Sequence, residues 1–207
     1  MLNIQNNSHF QLEADPSGRH VFGGPATHAG STPAGSEVPL HRLLSLDLEC
    51  PQSPFQSSSF RFLPLYHPLK YGGGGPTMQY AVNSDDSIEI IHLSGNVDDA
   101  DSQYVQVDAF PQMFYSIGDR IGPQDSVDWF TLTIGGTETL DHTSDNCNNQ
   151  ACPLYHKNES AALLASVPPI PIPGHDEIWW DFDGAYILFY FWLCRGCSTV
   201  ITSNRCT

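Results

Sequence analysis

The chain has 207 residues and 22.8 kDa, and only 15% of it is charged, against about 25% in an ordinary soluble domain. Aspartate and glutamate number 23 against 8 lysines and arginines, a formal charge of -15. That balance excludes a nucleic-acid binder and an anionic-membrane binder, both of which need a basic surface, and the composition excludes a collagen, a coiled coil and a disordered chain.

In chain order, residues 1–20 are polar and turn-rich and are expected at the edge of the fold. The start, Met1 to Asn7, has neither the basic nor the apolar part of a secretory signal, so a cytoplasmic location is expected. Residues 22–39 are rich in Gly, Ser, Thr and Pro and read as a long surface loop. Leu44, Leu46 and Leu48 alternate with Ser45, Asp47 and Glu49, which predicts a strand. Residues 60–65 are apolar, but Pro64 and Pro68 restrict them to an edge strand, because proline cannot donate to a ladder. Gly72 to Gly75 predicts a loop, and residues 77–93 predict a hairpin turning at 83–86. Further strands are expected at 104–110, 127–134, 178–180, 185–193 and 199–202. The segment 185–193 is apolar at every position, which places it at the centre of a sheet. Asn158 is a fitting cap for a short helix over 159–166.

About nine short strands with frequent turns predict a mainly β fold (β-rich α+β). The expected architecture is one compact domain over 1–207, made of antiparallel sheets with long Gly/Pro-rich loops and one short helix. The longest apolar run, 185–194, is about half of what a membrane-spanning helix needs.

Six cysteines include two close pairs, Cys147-x4-Cys152 and Cys194-x2-Cys197, with Cys206 nearby and Cys50 remote. Close spacing lets both sulfurs of a pair converge on one ion, so these four are candidate ligands of a structural zinc. His142 and His156 flank the first pair and are alternative ligands. Two other readings stay open: free thiols in a reducing compartment, or disulfides in an oxidising one. A redox role is disfavoured for Cys194-x2-Cys197, because a redox pair should open a helix and this one ends a strand.

The most acidic stretch runs from Asp85 to Asp128, with Arg120 as its one basic residue. Asp85, Asp86, Asp98, Asp99, Asp101 and Asp108 are candidate contacts for a basic protein partner, and Tyr104, Phe114, Tyr115 and Trp129 are candidate aromatic anchors. The alternative is a solvated face.

Other motifs carry less. Asp181-Phe182-Asp183-Gly184 resembles the DxDG motif of haloacid dehalogenase phosphatases, but the 23 residues after Gly184 supply no lysine. The glycine run lacks the lysine of a phosphate loop, and no Gly-x-Ser-x-Gly elbow occurs.

His20-Val21-Phe22-Gly23-Gly24-Pro25 resembles the opening of the YwqG-like proteins, and Asp181-Phe182-Asp183-Gly184 before the aromatic run 185–192 resembles their C-terminal strand. The resemblance implies a β-rich bacterial protein of immunity type, which neutralises a toxin by binding it. It implies no catalytic residues. The leading expectation, resting on charge and on the absence of a catalytic signature, is a non-enzymatic acidic protein that recognises a basic partner. The alternatives are a metal-dependent hydrolase using His142, Cys147, Cys152 and nearby carboxylates, and a disulfide-bearing carbohydrate-binding module.

Overall fold

The structure, a computed structural model, describes residues 2–4, 8–71, 77–95, 97, 107–122, 130–136, 146–156, 161–170, 172 and 186–206. The strands among them are β1 (Leu2–Ile4), β2 (His9–Ala14), β3 (His20–Phe22), β4 (His41–Asp47), β5 (Phe55–Ser57), β6 (Phe62–His67) and β7 (Met78–Ser84), followed by β8 (Ser87–Leu93), β9 (Met113–Ile121), β10 (Thr133–Gly135), β11 (Ala161–Val167), β12 (Ile187–Cys194) and β13 (Val200–Cys206). β1 and β5 form a small separate pair. The other eleven form one antiparallel sheet in the order β6-β4-β3-β9-β2-β10-β11-β12-β13-β7-β8. No helix among the described residues is long and apolar enough to cross a membrane.

The sheet curls into a half-barrel, so that its two ends meet. The Tyr66 amide of β6 donates to the Tyr80 hydroxyl of β7 at 2.9 Å, and that hydroxyl donates to the Pro64 carbonyl at 2.8 Å. His67 Nδ1 and Thr202 Oγ1 join at 2.8 Å. The curl encloses the main core, which includes Phe22, Leu44, Leu63, Met78, Phe189 and Phe191. β6 lies at one end of the sheet order, where Pro64 costs no ladder bond. β12 is buried at every position and lies between β11 and β13, as its unbroken apolar run requires.

Four expectations are corrected. The helix expected at 159–166 is strand β11 in its described part, from Ala161 on. Its residues from Ala162 to Val167 are buried between β10 and β12, and this two-sided packing overrides the weak helix preference of Ala and Leu. Part of the N-terminal segment is interior: β2 pairs with both β9 and β10, while β1 pairs with β5 alone. The described part of 104–110 is irregular, since Val107 and Asp108 direct their polar groups to His41 and Lys70. In 127–134 only the last two residues reach a strand, β10, among the described ones. The expected strand at 178–180 lies outside the described residues.

Candidate metal centre

Alternation along β12 builds the floor of the site. Ile187, Phe189, Phe191 and Leu193 face the main core, while Leu188, Tyr190, Trp192 and Cys194 face the other way. On that second face they join Leu163, Ile201, Cys147 and Cys152 in a separate apolar cluster. The Tyr190 and Trp192 rings stack with centroids 5.4 Å apart, and the Arg205 guanidinium lies over both. The segment 146–156 is thus a lid on the outer face of the sheet.

Two tight turns aim the sulfurs. In the lid, the Cys152 amide donates to the Asn149 carbonyl at 2.9 Å and the His156 amide to the Cys147 carbonyl at 3.0 Å. The Leu154 amide points at Cys152 Sγ, 3.3 Å away. Opposite it, the β12–β13 turn is closed by Cys194 N to Thr199 O at 2.8 Å and Ser198 N to Cys194 O at 2.9 Å, with Ser198 in the left-handed region at φ 58°. Gly196 is required by close approach: a Cβ there would stand 2.9 Å from Cys152 Sγ and 3.0 Å from the Leu154 side chain.

The result brings together the four cysteines singled out from their spacing. Sγ of Cys147, Cys152, Cys194 and Cys197 all lie within 4.8 Å of one another, the first three residues buried and Cys197 half-buried. Cys147 Sγ is 3.6 Å from Cys197 Sγ, and Cys152 Sγ is 3.6 Å from Cys194 Sγ. One metal ion fits such a group, because sulfurs on a tetrahedron around an ion at about 2.3 Å stand about 3.8 Å apart.

Burial pushes the Cys152 thiol up to about 11 and raises Cys147 further. Burial is the largest influence on Cys197 and raises it, but the Thr199 hydroxyl, 3.0 Å from its sulfur, the Thr199 amide and the Cys152 and Cys147 thiols together outweigh it and leave that thiol below its ordinary value. Of the alternative ligands, His156 is exposed with its ring against Tyr155, and His142 lies outside the described residues.

Sequence reasoning missed the residue that holds the lid down. Gln79 of β7 is fully buried; its Nε2 donates to the Asn146 carbonyl at 2.6 Å and its Oε1 accepts the Asn148 amide at 2.7 Å. In a strand of alternating character Gln79 sits opposite Met78 and Tyr80, a position that reads as solvent-facing. The lid covers that face.

The six acidic candidates are not brought to one place that the structure describes. Asp85 and Asp86 are exposed in the β7–β8 turn, and Asp85 Oδ1 accepts the amides of Arg61 and Phe62 at 2.7 and 2.9 Å. Asp108 is exposed and pairs with the buried Lys70 ammonium. Asp98, Asp99 and Asp101 lie outside the described residues, as do Tyr104, Trp129 and the 181–184 motif. Phe114 is exposed on β9, whereas Tyr115 belongs to the core.

Much of the scarce positive charge is engaged internally. Arg19 and Arg61 both bind the buried Asp47 carboxylate, at 2.7 and 3.0 Å. Burial raises the Asp47 carboxyl, but the guanidinium of Arg61, the Glu49 amide and the guanidinium of Arg19 outweigh it and hold it below the usual range. Arg42 Nε donates to the Gly23 carbonyl at 3.0 Å. His20 and His41 are buried, and loss of hydration is the main cause that lowers each to about 4.

Comparison with family models, with curated proteins and with solved structures yields no match.

Proposed function

We propose that the chain is a non-enzymatic binding protein whose lid is fastened by a structural zinc ion and whose acidic exterior meets a basic protein partner. The observation that carries this reading is the group of four converging cysteines. Four sulfurs saturate a tetrahedral ion and leave no position for substrate, which favours a structural over a catalytic metal. A dication at the centre also reverses the local acid–base balance: thiols that burial keeps protonated become thiolates when the ion takes their protons' place. Zinc with four thiolates adds two negative charges to the chain's surplus.

The partner half of the reading rests on charge. Arg19, Arg61 and Lys70 face carboxylates of this same chain, so the exterior keeps a large negative excess. Such a field accelerates the approach of a basic protein and disfavours acidic competitors. The likeness of residues 20–25 and 181–192 to YwqG-like proteins supports an immunity-type role, in which the bound partner is a basic toxin.

Two measurements test the reading. Elemental analysis of purified, reduced protein is expected to find one zinc per chain, and a metal-free protein with a protected lid would refute the zinc. For the acidic face, binding of an oligolysine peptide is measured at low and high salt. Asp85→Lys with Asp86→Lys is expected to weaken it more than Glu13→Lys with Glu37→Lys, which changes exposed carboxylates elsewhere. Equal losses from the two pairs would remove the 85–86 turn from the proposed interface.

A further inference from the structure

Both 3.6 Å sulfur contacts cross from the lid to the β12–β13 turn: Cys147 meets Cys197, and Cys152 meets Cys194. We propose that the four cysteines form a latch with two fastened states: zinc-bound when reduced, and cross-linked as Cys147–Cys197 and Cys152–Cys194 when oxidised by a peroxide. The reduced half of this scheme rests on the zinc reading above; the pairing rests on the positions of the sulfurs alone.

The backbone supports the crossed pairing. Each turn is closed by its own amide-to-carbonyl bonds, Cys152 to Asn149 and His156 to Cys147 on one side, Cys194 to Thr199 and Ser198 to Cys194 on the other. These bonds direct each cysteine at the opposite turn. Three of the cysteines are buried and Cys197 is half-exposed, so a small oxidant reaches Cys197 first. Its sulfur stands 3.0 Å from the Thr199 hydroxyl, a donor suited to a departing or attacking thiolate.

The chemistry balances. The Cys197 thiolate attacks one oxygen of the peroxide, the O–O bond breaks, and a sulfenic acid and hydroxide form. The Cys147 thiolate then attacks the sulfenic sulfur, the S–S bond forms and a second hydroxide leaves. Cys152 and Cys194 react likewise with a second peroxide. In total four thiolates give up four electrons, two hydrogen peroxide molecules accept them, four protons are taken up, and the products are two disulfides, four water molecules and the released zinc ion.

Crossed bonds keep the lid attached to the sheet after the metal leaves. Bonds within each turn, Cys147 to Cys152 and Cys194 to Cys197, would instead cut the lid loose and uncover Tyr190 and Trp192. The distinction decides whether oxidation preserves or opens this face.

The experiment oxidises full-length protein with hydrogen peroxide, in its zinc-loaded form and after zinc removal under reducing conditions. Zinc release is followed with a chromogenic chelator, disulfides are mapped by non-reducing digestion and mass spectrometry, and amide exchange is measured over 146–156. The expected result is one zinc released per two peroxides consumed, Cys147–Cys197 and Cys152–Cys194 peptides from both forms, and lid amides that stay as slow as in the zinc-loaded protein. Turn-internal disulfides, bonds to Cys50 or Cys206, sulfinic acids in place of disulfides, or a lid that exchanges freely after oxidation would overturn the proposal. Absence of zinc in the purified reduced protein would overturn the zinc reading and leave the pairing to be decided by the zinc-free arm. In Cys197→Ser, Cys152–Cys194 is still expected to form; a Cys147–Cys152 bond there would count against the latch.

Discussion

The two faces of β12 are held by different physics. Toward the half-barrel, Phe189 and Phe191 enter a core of more than thirty buried side chains drawn from most of the sheet. Toward the lid, Tyr190 and Trp192 enter a cluster of eight, three of them cysteines. The first is redundant, because many side chains share the burial of apolar area. The second is too small to order an eleven-residue lid by apolar area alone, since fixing a residue costs about 1–2 kcal/mol of backbone entropy. In the proposed latch, a metal, or covalent bonds in its place, supplies what the small cluster lacks. A strand that serves both faces joins a robust core to a conditional one.

Removing the metal should break this comparison most visibly. Chelation under reducing conditions is expected to free residues 146–156 and uncover Leu163, Tyr190 and Trp192, at about 2 kcal/mol for each side chain exposed. Amide exchange should rise there while β4 and β6 stay protected; simultaneous loss in β4 would mean that the two faces do not fail separately. Phe189→Ala attacks the opposite face. It should cost about 3–5 kcal/mol in denaturant unfolding with zinc content unchanged.

Acid should also act on the half-barrel. His20 and His41 titrate at about 4 in the folded state and near 6.5 when unfolded, so between those values the unfolded chain binds more protons. Stability is therefore full above pH 6.5, falls as pH drops toward 4, and levels off below, with a loss of about 3 kcal/mol for each histidine. Urea midpoints across that window check the slope, and His41→Gln should reduce it by about half, leaving the part due to His20. The smallest effect is expected for Gln79→Leu. It leaves the Asn146 carbonyl and the Asn148 amide without their buried partner, at a cost of about 1–3 kcal/mol, and weakens zinc retention against a competing chelator.

Where one rule dominated, the sequence was legible. An unbroken apolar run marked β12 as interior, Pro64 marked β6 as an edge, and close cysteine spacing picked out the four sulfurs that converge. Where two rules competed, the weaker signal misled. Ala161 to Val167 satisfies helix propensity and a buried strand equally, and only its neighbours β10 and β12 decide. β9 escaped notice because Phe114, exposed on its outer face, breaks the alternation of Met113, Tyr115 and Ile117. Gln79 was illegible for a deeper reason: its partners are main-chain groups 67 and 69 residues away, a distance that no local pattern reports.

The chain has two lysines, and Lys70 is buried beneath Asp108. Amine-directed reagents thus find few handles on this protein, while carbodiimide finds many activated carboxylates and almost no internal amine to couple them to. Zero-length coupling would accordingly join it to a lysine-rich neighbour in preference to itself, a chemical asymmetry well suited to fishing for the partner.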